Sequence, residues 1–180
     1  MTEVTAVDVL LDGFGRVHES VARVLDGLTA AQLTHRVGGT ANPIAWLVWH
    51  LTRVQDDHVA EVAGTEQVWT ADGWAKRFDL PLPVDDTGYG HGGDQVAAVT
   101  APADLLLDYH RAVHERTEDY VRGLRAADLS RIVDESWDPP VTLAVRLLSV
   151  IEDDLQHVGQ AAFVRGVLPR SRPDREDPDS

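Results

Sequence analysis

Three side chains stand out for the chemistry they could do together: His50, and the pair Asp153 and His157 four residues apart. A carboxylate and an imidazole at that spacing lie one above the other on a single helix face, so the pair can chelate one cation. If His50 projects from a facing helix, the result is two imidazoles and one carboxylate with coordination positions left open. That is the donor set of a catalytic zinc site, and it also suits nickel, iron or manganese. A divalent cation held this way lowers the pKa of a ligating thiol or water. The chain has no cysteine, so disulfides, Cys zinc sites and a thiolate nucleophile of its own are excluded. Any thiol it uses is brought in.

Other residues compete for the same role. His110 and His114 form a second i, i+4 pair with Glu118 a turn further on. Arg111, Glu115, Arg116 and Asp119 surround that pair, which reads as a charged helix face laced with salt bridges. Asp57 is nearly in line with His50, but seven residues of helix separate them by about 10.5 Å, too far to share one cation. His58 is either packed at the bundle end or part of a pocket. Arg146, two turns before Asp153, either anchors an anionic substrate or pairs with a carboxylate. Gln160, three residues after His157, can touch the site from outside its ligands. Arg146, Gln160 and His58 are the candidate substrate-pocket residues, and His50, Asp153 and His157 the candidate metal ligands. No phosphate loop, nucleophile elbow or His-Glu-x-x-His motif is present.

The elements that must position these residues are helical. Apolar residues recur at spacings of three and four over 4–28, 43–62, 102–124 and 142–165. Asn42 is placed to cap the second helix with Pro43 in its first turn, Gly64 to end it, and Thr142 to cap the fourth. The strongest apolar stripe of the fourth helix is Ala144, Leu148, Ile151, Leu155, Val158 and Ala162, centred opposite Asp153. By that count Asp153 sits on a solvated acidic edge with Glu152 and Asp154. Leu147, Val150, Ala161 and Val164, however, extend apolar character round to His157. Between the second and third helices, residues 65–101 form a long crossover carrying Trp69, Trp74, Phe78 and Tyr89, aromatics that predict a partly packed cover for one end of a bundle. No alternating run demands a sheet. The expected fold is all-α: a four-helix bundle over 1–168 with a long crossover between helices 2 and 3, then a disordered tail over 169–180 with three prolines and no apolar anchor.

Composition narrows the partners. The chain has 180 residues, 43% of them hydrophobic, enough to bury a core without a structural metal. Its formal net charge of −14 opposes binding to nucleic acid or an anionic membrane. With no apolar run of membrane-spanning length and an acidic N-terminus, the expected location is the cytoplasm and the expected partner a small molecule.

Two stretches carry a family resemblance: Asn42-Pro43-Ile44-Ala45-Trp46-Leu47-Val48-Trp49-His50-Leu51 and Asp153-Asp154-Leu155-Gln156-His157-Val158-Gly159-Gln160. They resemble the DinB-like superfamily, in the branch related to mycothiol-dependent maleylpyruvate isomerase. The resemblance implies an up-down-down-up bundle, a homodimer, and a divalent metal, zinc or nickel, on His50, Asp153 and His157. Many members of the superfamily have a histidine where this chain has Asp153, and the isomerase branch has a carboxylate. The implied activity is transfer or isomerisation with a low-molecular-weight thiol such as mycothiol. The isomerase carries a further C-terminal domain, so maleylpyruvate itself is not the expected substrate. A metal-dependent hydrolase and a noncatalytic metal-binding or stress-response bundle are the alternatives.

Overall fold

The computed structural model describes residues 4–168. Four long helices form the bundle: α1 (Ala6–Leu25), α2 (Ile44–Ala63), α3 (Ala103–Arg122) and α4 (Leu143–Val167). α1 opens on a capping box in which Thr5 Oγ1 accepts the Asp8 N–H and the Asp8 carboxylate accepts the Thr5 N–H. Thr142 caps α4 as expected, accepting the Val145 N–H. The expected Asn42 cap on α2 is not formed. Pro43 occupies the cap position in extended conformation, and its carbonyl accepts the Leu47 N–H at 3.0 Å. Gly64, left-handed at φ 68, closes that helix.

Contacts between the helices fix their directions. Arg165 donates to the carbonyls of Val24 and Asp26 while Ile151 packs on Gly13, so α1 and α4 run parallel. The ring of His50 meets that of His157 and Arg146 reaches His58, so α2 and α4 run antiparallel. His110 meets Thr52 and Tyr120 meets the Val62 carbonyl, so α2 and α3 run parallel. The order is up-down-down-up, and the expected all-α four-helix bundle with its long crossover is what forms. Among the described residues no helix is long and apolar enough to cross a membrane. The expected tail, 169–180, lies outside the described residues.

The crossover is built from short helices at Val68–Ala71, Trp74–Phe78 and Gly93–Ala98. It is fastened from below by α2. Asp56, buried, accepts the N–H groups of Val68 and Trp69 at 2.8 Å each and the Tyr109 hydroxyl at 2.9 Å. Arg53, also buried, donates to Gln67 and to the Asp86 carbonyl. Trp69, Trp74 and Phe78 are buried as expected, whereas Tyr89 is 94% exposed. Because the crossover covers one side of α2 and the bundle the others, residues 44–53 of that helix are all buried. A short hairpin that periodicity did not show, β1 (Ile132–Asp134) with β2 (Val141–Thr142), precedes α4.

Two expectations are overturned. α4 is rotated away from its strongest apolar stripe, so that Leu148 is 61% exposed, while Leu143, Leu147, Val150 and Ala161 face the core beside a fully buried Asp154. His110 and His114 do not lie on a charged face either. They turn inward and stack with His18 of α1, whose ring lies 4.4 Å from that of His114 and 5.4 Å from that of His110. Parallel faces point their in-plane lone pairs alongside one another, so this cluster does not chelate as it stands. Arg111, Glu115, Glu118 and Glu19 remain at its rim.

Thr52 Oγ1 donates to the Val48 carbonyl and therefore accepts from His110 Nδ1–H at 3.1 Å. Burial, reinforced by His18 and His114, holds the His110 imidazole well below its ordinary pKa. The unfolded chain takes up that proton below about pH 6.5 and the folded chain does not, so this residue's contribution to stability is lost as pH falls. The slope is up to about 1.4 kcal/mol per pH unit for one such group. His110→Gln, which keeps a donor for Thr52, is expected to flatten the fall in urea midpoint between pH 7.5 and 5.5 relative to the parent chain; identical slopes would show that His110 is not held neutral.

Candidate metal centre

His50 lies within the buried stretch of α2, and its ring N–H needs an acceptor. The crossover supplies one: His50 Nδ1 is 2.5 Å from the Thr87 carbonyl. A carbonyl only accepts, so Nδ1 carries the proton and Nε2 keeps its lone pair. On α4 the His157 Nδ1 is 2.9 Å from the Asp153 carbonyl one turn back, which leaves its Nε2 free in the same way. The two imidazoles meet edge to face with centroids 4.6 Å apart. His50, Asp153 and His157 each offer a ligand atom, and these atoms lie within 4.8 Å of one another. Among the described residues no other group of three His, Asp or Glu converges in this way. Asp153 is half-buried, not on an open acidic edge.

The electrostatics suit cation binding. Burial depresses the His50 pKa, against the pull of its bond to Thr87, and so favours the neutral form that ligates. Burial works to raise the Asp153 carboxyl, but His157, whose Nδ1 stands 3.3 Å from Oδ2, outweighs it and keeps the group below its usual range. His157 is raised in return, chiefly by the neighbouring Asp153 carboxylate. Asp153 Oδ2 is nevertheless buried with no hydrogen-bond partner, although His157 Nδ1 stands 3.3 Å away.

Several positioning residues were not foreseen. Trp46 stacks on His50 with centroids 4.6 Å apart, and its indole N–H donates to His91 Nδ1 at 3.0 Å. His91 Nε2–H then donates to Asp86 Oδ2 at 2.8 Å, and Asp86 Oδ1 accepts the Gly88 N–H. The crossover tip thus closes over the back of His50. Gly88, at φ +94, is the point of closest approach, where a Cβ would stand 2.7 Å from His50 Nδ1. The glycine-rich run from Gly88 to Gly93 was the available signal, but glycine content alone does not say what the backbone approaches.

The substrate-pocket candidates do not come together. His58 and Arg146 line a cavity of about 510 Å³ with Val54, Trp137, Ser149 and Asp153. Arg146 is engaged there by Glu61 at 2.6 Å and Asp134 at 3.2 Å, which is the carboxylate-pairing role. Gln160 lines a separate cleft of about 380 Å³ with Val37, Leu47, Gly159, Phe163 and Val164.

A sequence model described as Mycothiol-S-transferase matches residues 9–169. The chain belongs to this DinB-like family. A crystal structure of a conserved protein from Enterococcus faecalis superposes on this mycothiol S-transferase family member with a TM-score of 0.81 at 30% identity, over 91% of this chain and 96% of that one. No curated protein matches it. The family identity makes a small molecule the substrate class.

Gly88→Ala should push the crossover tip off His50, since it adds a Cβ where none fits and strains a left-handed backbone. The expected outcome is loss of the slowly exchanging His50 Nδ1–H signal in NMR and a cation affinity roughly 10- to 100-fold weaker, with helix content by circular dichroism unchanged. An undisturbed His50 resonance would show that Thr87 does not hold the ring.

Proposed function

We propose that this chain is a divalent-metal-dependent enzyme that transfers or isomerises with a low-molecular-weight thiol, mycothiol by family, and that His50, Asp153 and His157 hold zinc or nickel. The observation that carries the reading is the convergence, within 4.8 Å, of one ring nitrogen from each of His50 and His157 with a carboxylate oxygen of Asp153, whose buried Oδ2 has no hydrogen bond. A divalent cation there supplies acidity to a thiol or water, so that the deprotonated form is available near neutral pH.

The chain's own residues do the rest. Thr87 and the Asp153 carbonyl keep both imidazoles in the ligating tautomer. Trp46 and the crossover tip shield the back of His50 from water. The 510 Å³ cavity opens from Asp153 and presents Ser149 and His58 toward a polar substrate, and Trp137, 67% exposed, stands at its wall. A reaction that draws on a cellular thiol pool fits a cytoplasmic location.

The protein purified without an affinity tag is expected to contain close to one zinc or nickel per chain, and His50→Ala to lose it together with metal-dependent consumption of mycothiol. Full occupancy in His50→Ala would remove the proposed ligand set.

A second copy of the chain is the proposed cover for the stripe of α4 that the bundle leaves open. Leu148 and Leu155 are exposed there, and Val9 of the parallel α1 is 61% exposed. Sedimentation should give a dimer for the parent chain and a monomer for Leu148→Glu. A monomeric parent chain would refute the dimer without touching the metal site.

A further inference from the structure

The seam between α2 and α4 is one continuous line of facing residues. Along α2 it runs Leu47, His50, Val54, His58, and along the antiparallel α4 it runs Val164, Gln160, His157, Asp153, Arg146. Each step is three, four or seven residues, so each set shares one helix face. The three candidate ligands occupy the middle. Asp153 itself lines the polar cavity on one side. On the other side, Leu47 and Gln160 lie one helical turn, about 4.5 Å of rise, beyond His50 and His157 and line the second cleft.

The two hollows differ in chemistry. The first sets hydrogen-bonding groups, Ser149, Glu152 and Asp153 beside the paired Arg146, among valines and Trp137, a mixed lining suited to a hydroxylated molecule. The second is walled by Val37, Ala41, Leu47, Phe163 and Val164, with the amides of Asn42 and Gln160 as its polar groups. A polyhydroxylated thiol placed there would leave most of its hydroxyls without partners, at a cost for each one buried. An apolar ring would instead gain from burial against Phe163 and the aliphatic wall. The volume of about 380 Å³ admits a single-ring molecule.

We infer that the two clefts divide the substrates, and that the Val37–Leu47–Phe163 cleft is the subsite for the acceptor, a small apolar electrophile bearing a ring. The inference rests on the thiol-transfer reading for its catalytic meaning, though not for its binding site. For an aryl chloride, the thiolate sulfur forms a bond to the ring carbon, the carbon–chlorine bond breaks with chloride taking the electron pair, and the thiol proton passes to solvent. No oxidant or reductant is needed.

The probe is 1,3-dinitrobenzene, an unreactive aromatic, measured by equilibrium dialysis against the protein as purified. Gly159 is helical, and a Cβ added there meets nothing within 4 Å, so it accepts a larger side chain without strain. Ala41 is exposed on the opposite wall. The double variant Ala41→Leu, Gly159→Leu is expected to weaken dinitrobenzene binding at least tenfold, whereas Val145→Trp, which narrows the polar cavity, leaves it unchanged. With 1-chloro-2,4-dinitrobenzene and mycothiol, the double variant should raise KM for the arene and Val145→Trp should raise KM for the thiol. No dinitrobenzene binding by the parent chain, or equal binding by the double variant, overturns the assignment. Dialysis needs neither thiol nor turnover, so absence of transferase activity alongside cleft-dependent arene binding would count against the catalytic reading alone.

Discussion

The antiparallel register of α2 on α4 is the constraint on which the site depends. It places His50 opposite the turn of α4 that carries Asp153 and His157, and a slip of one turn in either helix would break that three-way convergence. The seam is held by apolar packing on both sides, with Leu47, Val150, Val158 and Ala161 all buried. A metal is therefore not needed to form the bundle, and His50, Asp153 and His157 are brought together by burial of their neighbours. Preorganisation of this kind fits a site in which the cation works on a substrate instead of holding the fold.

Burying His50 creates a need for a hydrogen-bond acceptor, and meeting that need shapes the crossover. The Thr87 carbonyl has to reach the ring, so the crossover must descend to α2, so Gly88 can carry no Cβ, and so the loop must be fastened elsewhere. Asp56 and Arg53 provide the fastening from inside α2 by taking up backbone groups of the loop. These charged residues are in the core because the loop's N–H and carbonyl groups would otherwise be buried without partners. The polar interior continues in His110, Thr117 and Gln55, and in Asp154, whose burial raises its carboxyl well above the ordinary value.

The helices were legible because their apolar residues repeat at helical spacing, their up-down-down-up order only through the family resemblance, and the candidate triad because Asp153 and His157 sit at i, i+4 with His50 on another helix. The rotation of α4 was not legible: its apolar residues extend nearly around the helix, so periodicity could not choose between the stripe through Leu148 and the face through Leu147 and Val150. The inward turn of His110 and His114 was masked by the charged residues beside them, whose side chains reach solvent from the rim. His91, Asp86 and Trp46 were invisible as a unit because a long loop has no period from which to read a contact. The hairpin was missed because its strands are only three and two residues long.

X-ray absorption at the metal edge of the zinc-loaded protein tests the central claim most directly. The account predicts a shell of nitrogen and oxygen at about 2.0–2.1 Å with the outer-shell scattering of two imidazoles, falling to one imidazole in His157→Ala. A spectrum without imidazole scattering, or one unchanged by that substitution, would contradict it.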